Sequence, residues 1–273
     1  MSFINISVNP KAWNYNMELN EEDLKMLNSK IGLKHLLAHK KVDLKEALTA
    51  TRYELTLREI QAELVKMQLW IIANNMKVML LFHGGDPSEK SGIIRKILSH
   101  NNPRHYRVEV NLPHRSQKTN GEWYFKKFVE KLPQEGEMVF WDRSWYNRAV
   151  IEPVHGLCTQ KEYEMFMEQV NAFEKMLTDS GITLIKFYFN ISRKEHSRRL
   201  KEVKKSPLTK WKMTPFDEHS KELWAEYKNY KEKMISQTHT EHAPWIEINK
   251  ERREEEMIEA ARQLLSLIPY GKD

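Results

Sequence analysis

A chain of 273 residues, 40% hydrophobic and 30% charged, is long enough to bury a full α/β core as one large domain with appendages. Its net charge of +6 favours polyanionic partners, and its single cysteine, Cys158, excludes an internal disulfide. No run approaches roughly 18 uninterrupted apolar residues, and the start MSFINISVNPK lacks a basic segment followed by an apolar one, so no membrane span or secretory signal is expected and the expected compartment is the cytoplasm.

Residues 1–18 mix Asn, Pro and Trp without periodicity and read as an irregular arm. Asn20, followed by two Glu and an Asp, then predicts a capped helix. Residues 1–42 form an expected N-terminal arm and 43–273 the main domain. From Asp43 to about Asn75, Leu44, Leu48, Leu55, Ile60, Leu64, Met67 and Ile71 keep helical spacing without Pro or Gly, so one long helix is expected. Then come a strand Val78–Phe82, a glycine-containing loop, a helix from Ser91, a strand Tyr106–Val110 and a polar loop His114–Asn120. A helix Trp123–Leu132, a strand Met138–Trp141, a helix Lys161–Ser180 closed by Gly181 and a strand Ile182–Phe189 follow. A strand Pro244–Ile248 and an amphipathic helix Glu251–Leu267 end the chain. Five short apolar strands alternating with helices predict an α/β fold, a five-stranded parallel sheet with helices on both faces.

The insert Arg193–Ile235 holds 13 Lys and Arg against 7 Asp and Glu, a local excess equal to that of the whole chain. A solvated helix face is one reading; a basic helical lid that closes over phosphates is the sharper one.

Two segments carry chemistry. In Gly84-Gly85-Asp86-Pro87-Ser88-Glu89-Lys90-Ser91 a strand passes through a loop and a lysine into a helix, the order of a nucleotide phosphate loop (Walker A). There, backbone N–H groups wrap phosphates, Lys reaches the terminal oxygens and a hydroxyl lies near magnesium. Gly84, Lys90 and Ser91 fit that pattern; Glu89 replaces its second glycine. The second segment ends a buried strand on Asp142 and adds Arg143, Asn147 and Arg148 within a few residues. Asp142 can hold a divalent cation in the manner of a Walker B carboxylate, and the two arginines can neutralise phosphoryl oxygens. A buried Asp paired to an Arg at a strand end is the alternative.

Taken with Trp123-Tyr124-Phe125, Leu132-Pro133, Glu152, Phe173-Glu174, Trp211-Lys212, Asp217 and Ala243-Pro244-Trp245, these segments resemble the second family of polyphosphate kinases. The likeness covers roughly Asp43 to Leu267. It implies a P-loop kinase-like three-layer sandwich with a basic helical lid at about 193–235. It also implies Mg²⁺-dependent phosphoryl transfer between inorganic polyphosphate and a nucleoside mono- or diphosphate (ADP or AMP, GDP or GMP). On this resemblance Asp86 and Asp142 organise magnesium, and Lys90 contacts the transferred group. Arg143, Asn147, Arg148 and Glu152 surround the nucleotide phosphates, while Arg95, Lys96, Arg198, Arg199 and Lys212 line a basic channel and lid. A homodimer or homotetramer is implied as well.

The chain departs from the family pattern at Gly85, Pro87, Ser88, Glu89 and Ser91 in the loop, at Thr119 where an acid is expected, at Val203 where a lid arginine is expected, and at Ser206–Thr209. These departures open an alternative, a catalytically impaired polyphosphate- or nucleotide-binding protein on the same fold. The histidines lack ligand spacing with Cys158, which argues against zinc, and the basic lid carries no nucleic-acid motif.

Overall fold

A computed structural model of the protein describes residues 19–38, 43–84, 89–112, 122–205, 207 and 222–271; the side chain of Glu89 lies outside the description. The arm at 1–18, the loop His114–Asn120, Asp86, Thr119 and Lys212 therefore lie outside the described residues. The chain divides into two units, one ending at Arg58 and one beginning at Glu59.

In the first unit, helix α1 (Glu21–Leu27) begins on the expected Asn20 cap. Asn20 Oδ1 accepts the Asp23 N–H at 2.8 Å and Asp23 Oδ2 accepts the Asn20 N–H at 3.3 Å, so two otherwise orphaned donors are satisfied reciprocally. Helix α2 (Lys30–Leu36) follows, and Leu27, Leu36, Ala47 and Leu48 close a small apolar core. Helix α3 (Leu44–Ala73) is the long helix expected from Asp43 to Asn75.

The second unit is built on strands β1 (Lys77–Gly84), β2 (Tyr106–Val110), β3 (Glu137–Asp142), β4 (Ile182–Asn190) and β5 (Trp245–Asn249). All pair in parallel, in the order β2-β3-β1-β4-β5. In β1, Val78 through His83 are all buried, the signature of a central strand covered on both faces. On one face Met79, Leu81, Val139 and Trp141 pack with Phe125, Phe128, Phe166, Phe173 and Met234. These residues bring in α5 (Lys126–Val129), α7 (Gln160–Asp179) and α9 (Trp224–Thr238). Alternation sends Val78, Leu80 and Phe82 to the opposite face, the side of α4 (Glu89–Leu98) and α10 (Arg253–Leu267).

The helix expected over Trp123–Leu132 shortens to the single turn of α5. Its aromatic start is committed to the core instead, with the Phe125 and Phe173 rings stacked at 4.2 Å between centroids, and Pro133 disfavours helical backbone at Leu132. Among the described residues no helix is long and apolar enough to cross a membrane.

From β1 the chain crosses to β2 and β3 on one side, then to β4 and β5 on the other. The carboxyl ends of β1 and β3, neighbours in register at Phe82 and Asp142, therefore open into the crevice where the strand order reverses.

Candidate active site

Strand β1 stops at Gly84 because nothing else fits there. Its φ is +147°, and a Cβ would stand 2.5 Å from the Phe189 carbonyl oxygen on β4. Helix α4 starts at Glu89, which places Lys90 in its first turn, and Lys90 is only 2% exposed. Its Nζ turns back to donate to the Gly84 carbonyl at 3.2 Å, so the ammonium lies at the carboxyl end of β1. One residue on, the Ser91 hydroxyl donates to Asp142 Oδ2, joining the two segments singled out in the sequence. A groove of about 340 Å³ opens from this pair, lined by Ile94, Arg95 and Leu98 of α4 and by Val108 and Val110 of β2. Lys96 lies beside Arg95, and its carbonyl accepts from Gln61 at 3.1 Å.

Asp142 and Ser91 offer hard oxygen atoms side by side. That donor set suits Mg²⁺, which takes one or two carboxylates and keeps water and phosphate in its remaining positions. Among the described residues no group of three or more His, Cys, Asp or Glu could enclose a metal, so a zinc-type cage is absent there.

The turn after Asp142 is strained and pinned. Arg143 has φ +66°, a left-handed conformation that costs an L-residue roughly 1–2 kcal/mol, and its N–H donates to the Phe82 carbonyl at 3.1 Å. Ser144 is held at three atoms. Its N–H donates to His83 Nε2 at 3.0 Å, its Oγ lies 2.8 Å from the same nitrogen, and its carbonyl accepts from Asn111 Nδ2 at 2.7 Å. Asn111 also takes the Asn147 Nδ2–H on its carbonyl at 2.7 Å and the Lys127 ammonium on Oδ1 at 3.0 Å. Asn147 Oδ1 is buried with no partner among the described residues.

Arg148 ends this turn over the Tyr124 ring, 4.3 Å from its centroid. Its Nε lies 2.5 Å from Glu152 Oε2, an ionic contact not aligned as a hydrogen bond, and Nη1 lies 3.4 Å from Glu162 Oε1. Burial pushes the Glu152 carboxyl up from its ordinary pKa, although Arg148 works against the shift. Cys158 nearby is pushed up to about 12 by burial and then by Glu152.

Beneath the turn lies a dry ion pair. Lys186 Nζ on β4 is 2.7 Å from Glu174 Oε2 on α7, and neither side chain is exposed. The ammonium also donates to the Thr238 carbonyl at 2.8 Å and to the Tyr146 hydroxyl at 3.1 Å, while Trp145 Nε1 donates to Glu174 Oε1 at 3.1 Å. Trp145 and Tyr146, between Asp142 and Arg148, are thus anchored by charge as well as by packing.

A sequence profile described as Polyphosphate kinase 2 matches residues 47–273. The chain belongs to the polyphosphate kinase 2 family. It is 40% identical over 230 residues to ADP-polyphosphate phosphotransferase 1 of Rhizobium meliloti, covering 84% of this chain and 76% of that one. It is 40% identical over 244 residues to NDP-polyphosphate phosphotransferase 2 of Ruegeria pomeroyi, covering 89% and 70%. The crystal structure of polyphosphate kinase 2 from Arthrobacter aurescens superposes with a TM-score of 0.72 at 23% identity, covering 81% of each chain, and supports the same fold.

Of the residues that the resemblance to polyphosphate kinase 2 singled out, the structure brings Gly84, Lys90, Ser91 and Asp142 together at the ends of β1 and β3, with Arg143 and Asn147 in the turn that follows, while Arg148 pairs with Glu152 against Tyr124. It parts Arg198 and Arg199, the two arginines that the resemblance assigns to a lid, on α8 (Arg193–Lys205). Arg198 is exposed, paired along the helix with Glu195 and Glu202. Arg199 is fully buried and does not project as a channel cation. Its Nε binds Glu195 Oε1 at 2.7 Å, Nη1 binds Glu256 Oε2 at 2.9 Å and Nη2 donates to the Glu251 carbonyl at 2.8 Å, so the guanidinium joins α8 to α10. Val203, where the family pattern has an arginine, is buried on the same helix. Sequence reasoning missed His83, Asn111, Tyr124 and Glu174 as builders of the site, since each acts through a partner remote in the chain. The Asn111 position directly after Val110, the β2 residue in register with Asp142, was the available signal.

Proposed function

We propose that this protein transfers phosphoryl groups between inorganic polyphosphate and a nucleoside mono- or diphosphate, with Mg²⁺ as the metal. The observation that carries the reading is the Ser91–Asp142 contact opposite Lys90, at the crevice end of β1 and β3. Phosphoryl transfer asks the protein for alignment and charge neutralisation rather than for a covalent intermediate, and these residues supply both. Asp142 and Ser91, together with Asp86 of the loop, would hold Mg²⁺, which would supply charge neutralisation to the phosphates. Lys90 would meet the transferred group. Arg143 and Arg148 would bind the flanking phosphates, Arg148 kept in orientation by Tyr124 and its two carboxylates.

Ser91 stands where the family pattern has glycine, yet its hydroxyl takes the place that the general phosphate-loop pattern gives to Ser or Thr. That departure is compatible with turnover. Arg199 is left out of the substrate contacts in this reading, because its nitrogens are engaged in the fold.

The test is incubation with Mg²⁺, polyphosphate and ADP, with ATP quantified over time, for the wild-type protein and for Lys90→Ala. Turnover lost in Lys90→Ala at an unchanged melting temperature supports the assignment. Salt-sensitive polyphosphate binding without turnover by the wild type would replace it with the impaired binding protein.

A further inference from the structure

His83 lies outside the phosphate loop and outside the Asp142–Arg148 segment, yet it sits between them. It is buried, its ring meets Tyr146 edge-on at 5.8 Å and Trp245 at 6.0 Å, and its Nε2 faces Ser144. A backbone N–H can only donate. The 3.0 Å contact from the Ser144 N–H therefore requires a lone pair on Nε2, which fixes His83 as the neutral tautomer protonated at Nδ1. The Ser144 hydroxyl lies 2.8 Å from the same nitrogen.

The consequence falls on the neighbour. Arg143 is one of two non-glycine residues with positive φ among the described residues, and it is bracketed by its own N–H on the Phe82 carbonyl and by the pinned Ser144. Phe82 and His83 are consecutive on β1, so one strand grips both sides of the strained residue. We propose that His83 is a positioning residue for phosphoryl transfer: as an obligate acceptor for the Ser144 N–H, it holds Arg143 in its left-handed conformation and so fixes the turn that follows Asp142, the carboxylate that meets Ser91 of α4. The buried location, with Lys90, Arg143 and Lys186 close by, favours the neutral ring that this role needs. The inference rests on the phosphotransferase reading for its kinetic consequence, and on geometry alone for the tautomer.

Two variants separate positioning from packing. His83→Gln can place an amide oxygen close to the position of Nε2, whereas His83→Leu fills space without an acceptor. With Mg²⁺, polyphosphate and whichever nucleotide the wild type converts, His83→Leu should lose on the order of 100-fold in kcat, the usual effect of a small misplacement at a reacting centre, with KM for the nucleotide little changed. His83→Gln should retain most of the wild-type kcat. Wild-type kcat in folded His83→Leu, or an equal loss in both variants at unchanged melting temperature, would overturn the proposal. Nitrogen NMR of histidine-labelled wild type gives a readout independent of turnover and of variant folding: Nε2 of His83 should be unprotonated and hydrogen-bonded. A protonated Nε2 overturns the inference even in an active enzyme. An inactive wild type with the expected tautomer would remove the phosphotransferase reading and the kinetic role with it, leaving only the hydrogen bond.

Discussion

Replacing Lys186 by Met should destabilise the protein far more than a surface charge change, because it strands the Glu174 carboxylate. The pair is closed at 2.7 Å with no exposure on either side chain, so removal of the ammonium leaves a buried charge with only neutral donors beside it, Trp145 Nε1 and the Tyr146 hydroxyl. Breaking such a pair from one side costs about 3–5 kcal/mol, and for a chain of this size each kcal/mol moves the melting temperature by about 2–4 °C, giving a fall of roughly 6–20 °C. The effect has a definite pH sign. Burial already holds the Glu174 pKa above its ordinary value against the opposing pull of Lys186, so removing Lys186 raises it further. A carboxyl with a raised folded pKa binds more protons folded than unfolded, so the penalty is greatest at high pH and eases as pH falls through the folded pKa. Urea titrations at several pH values, with the slope m checked for constancy, measure this directly. Removing both charges with Glu174→Leu should recover part of the loss. A single-mutant cost below about 1 kcal/mol, or one that grows as pH falls, would refute the reasoning.

Other substitutions probe the site and its frame. Ser91→Ala should move the Mg²⁺ titration of activity to higher concentration while leaving the melting temperature near that of the wild type; an unchanged titration would remove Ser91 from the metal site. Arg199→Ala should lower stability by about 3–5 kcal/mol by removing the guanidinium that the buried Glu256 carboxylate faces, whereas the exposed Arg198→Ala should stay within about 1 kcal/mol, as denaturant curves will show. A stable Arg199→Ala protein with a raised KM for polyphosphate would return Arg199 to the channel. Glu195, held by Arg198 and then Arg199 at a pKa of about 2, stabilises the fold above its unfolded value of about 4.5. Its stabilisation should be lost as pH falls towards 2, so Glu195→Gln should cost less at pH 3 than at pH 7. Cys158, its thiol pushed up to about 12, should react with a thiol reagent at pH 8 much more slowly in the native protein than after unfolding.

The sequence disclosed whatever local pattern encodes. Apolar runs and their spacing placed the five strands within a residue or two, and β2 was read as Tyr106–Val110, the observed span. The loop lysine and Asp142 were readable because their chemistry depends on strand-end position, which periodicity reveals. What escaped depends on contacts between distant segments. Lys186 looked like an interruption in an apolar strand until Glu174, on the preceding helix, came to lie against it. Arg199 is a lid cation on the family resemblance, and its burial is accounted for by Glu195 together with Glu251 and Glu256, more than 50 residues further on. His83 and Asn111 are unremarkable polar residues in sequence; the Ser144 backbone gives them meaning. The aromatic run Trp123–Phe125 suggested a longer helix than α5 because helical spacing alone does not show which rings the core will claim.

The central claim is tested most directly by phosphorus NMR of the wild-type protein with Mg²⁺, polyphosphate and, in turn, ADP, AMP, GDP and GMP. The account predicts that at least one of these gains a phosphoryl group as polyphosphate shortens, and that Lys90→Ala, equally folded, converts none. Folded wild-type protein that leaves all four nucleotides unchanged would contradict it.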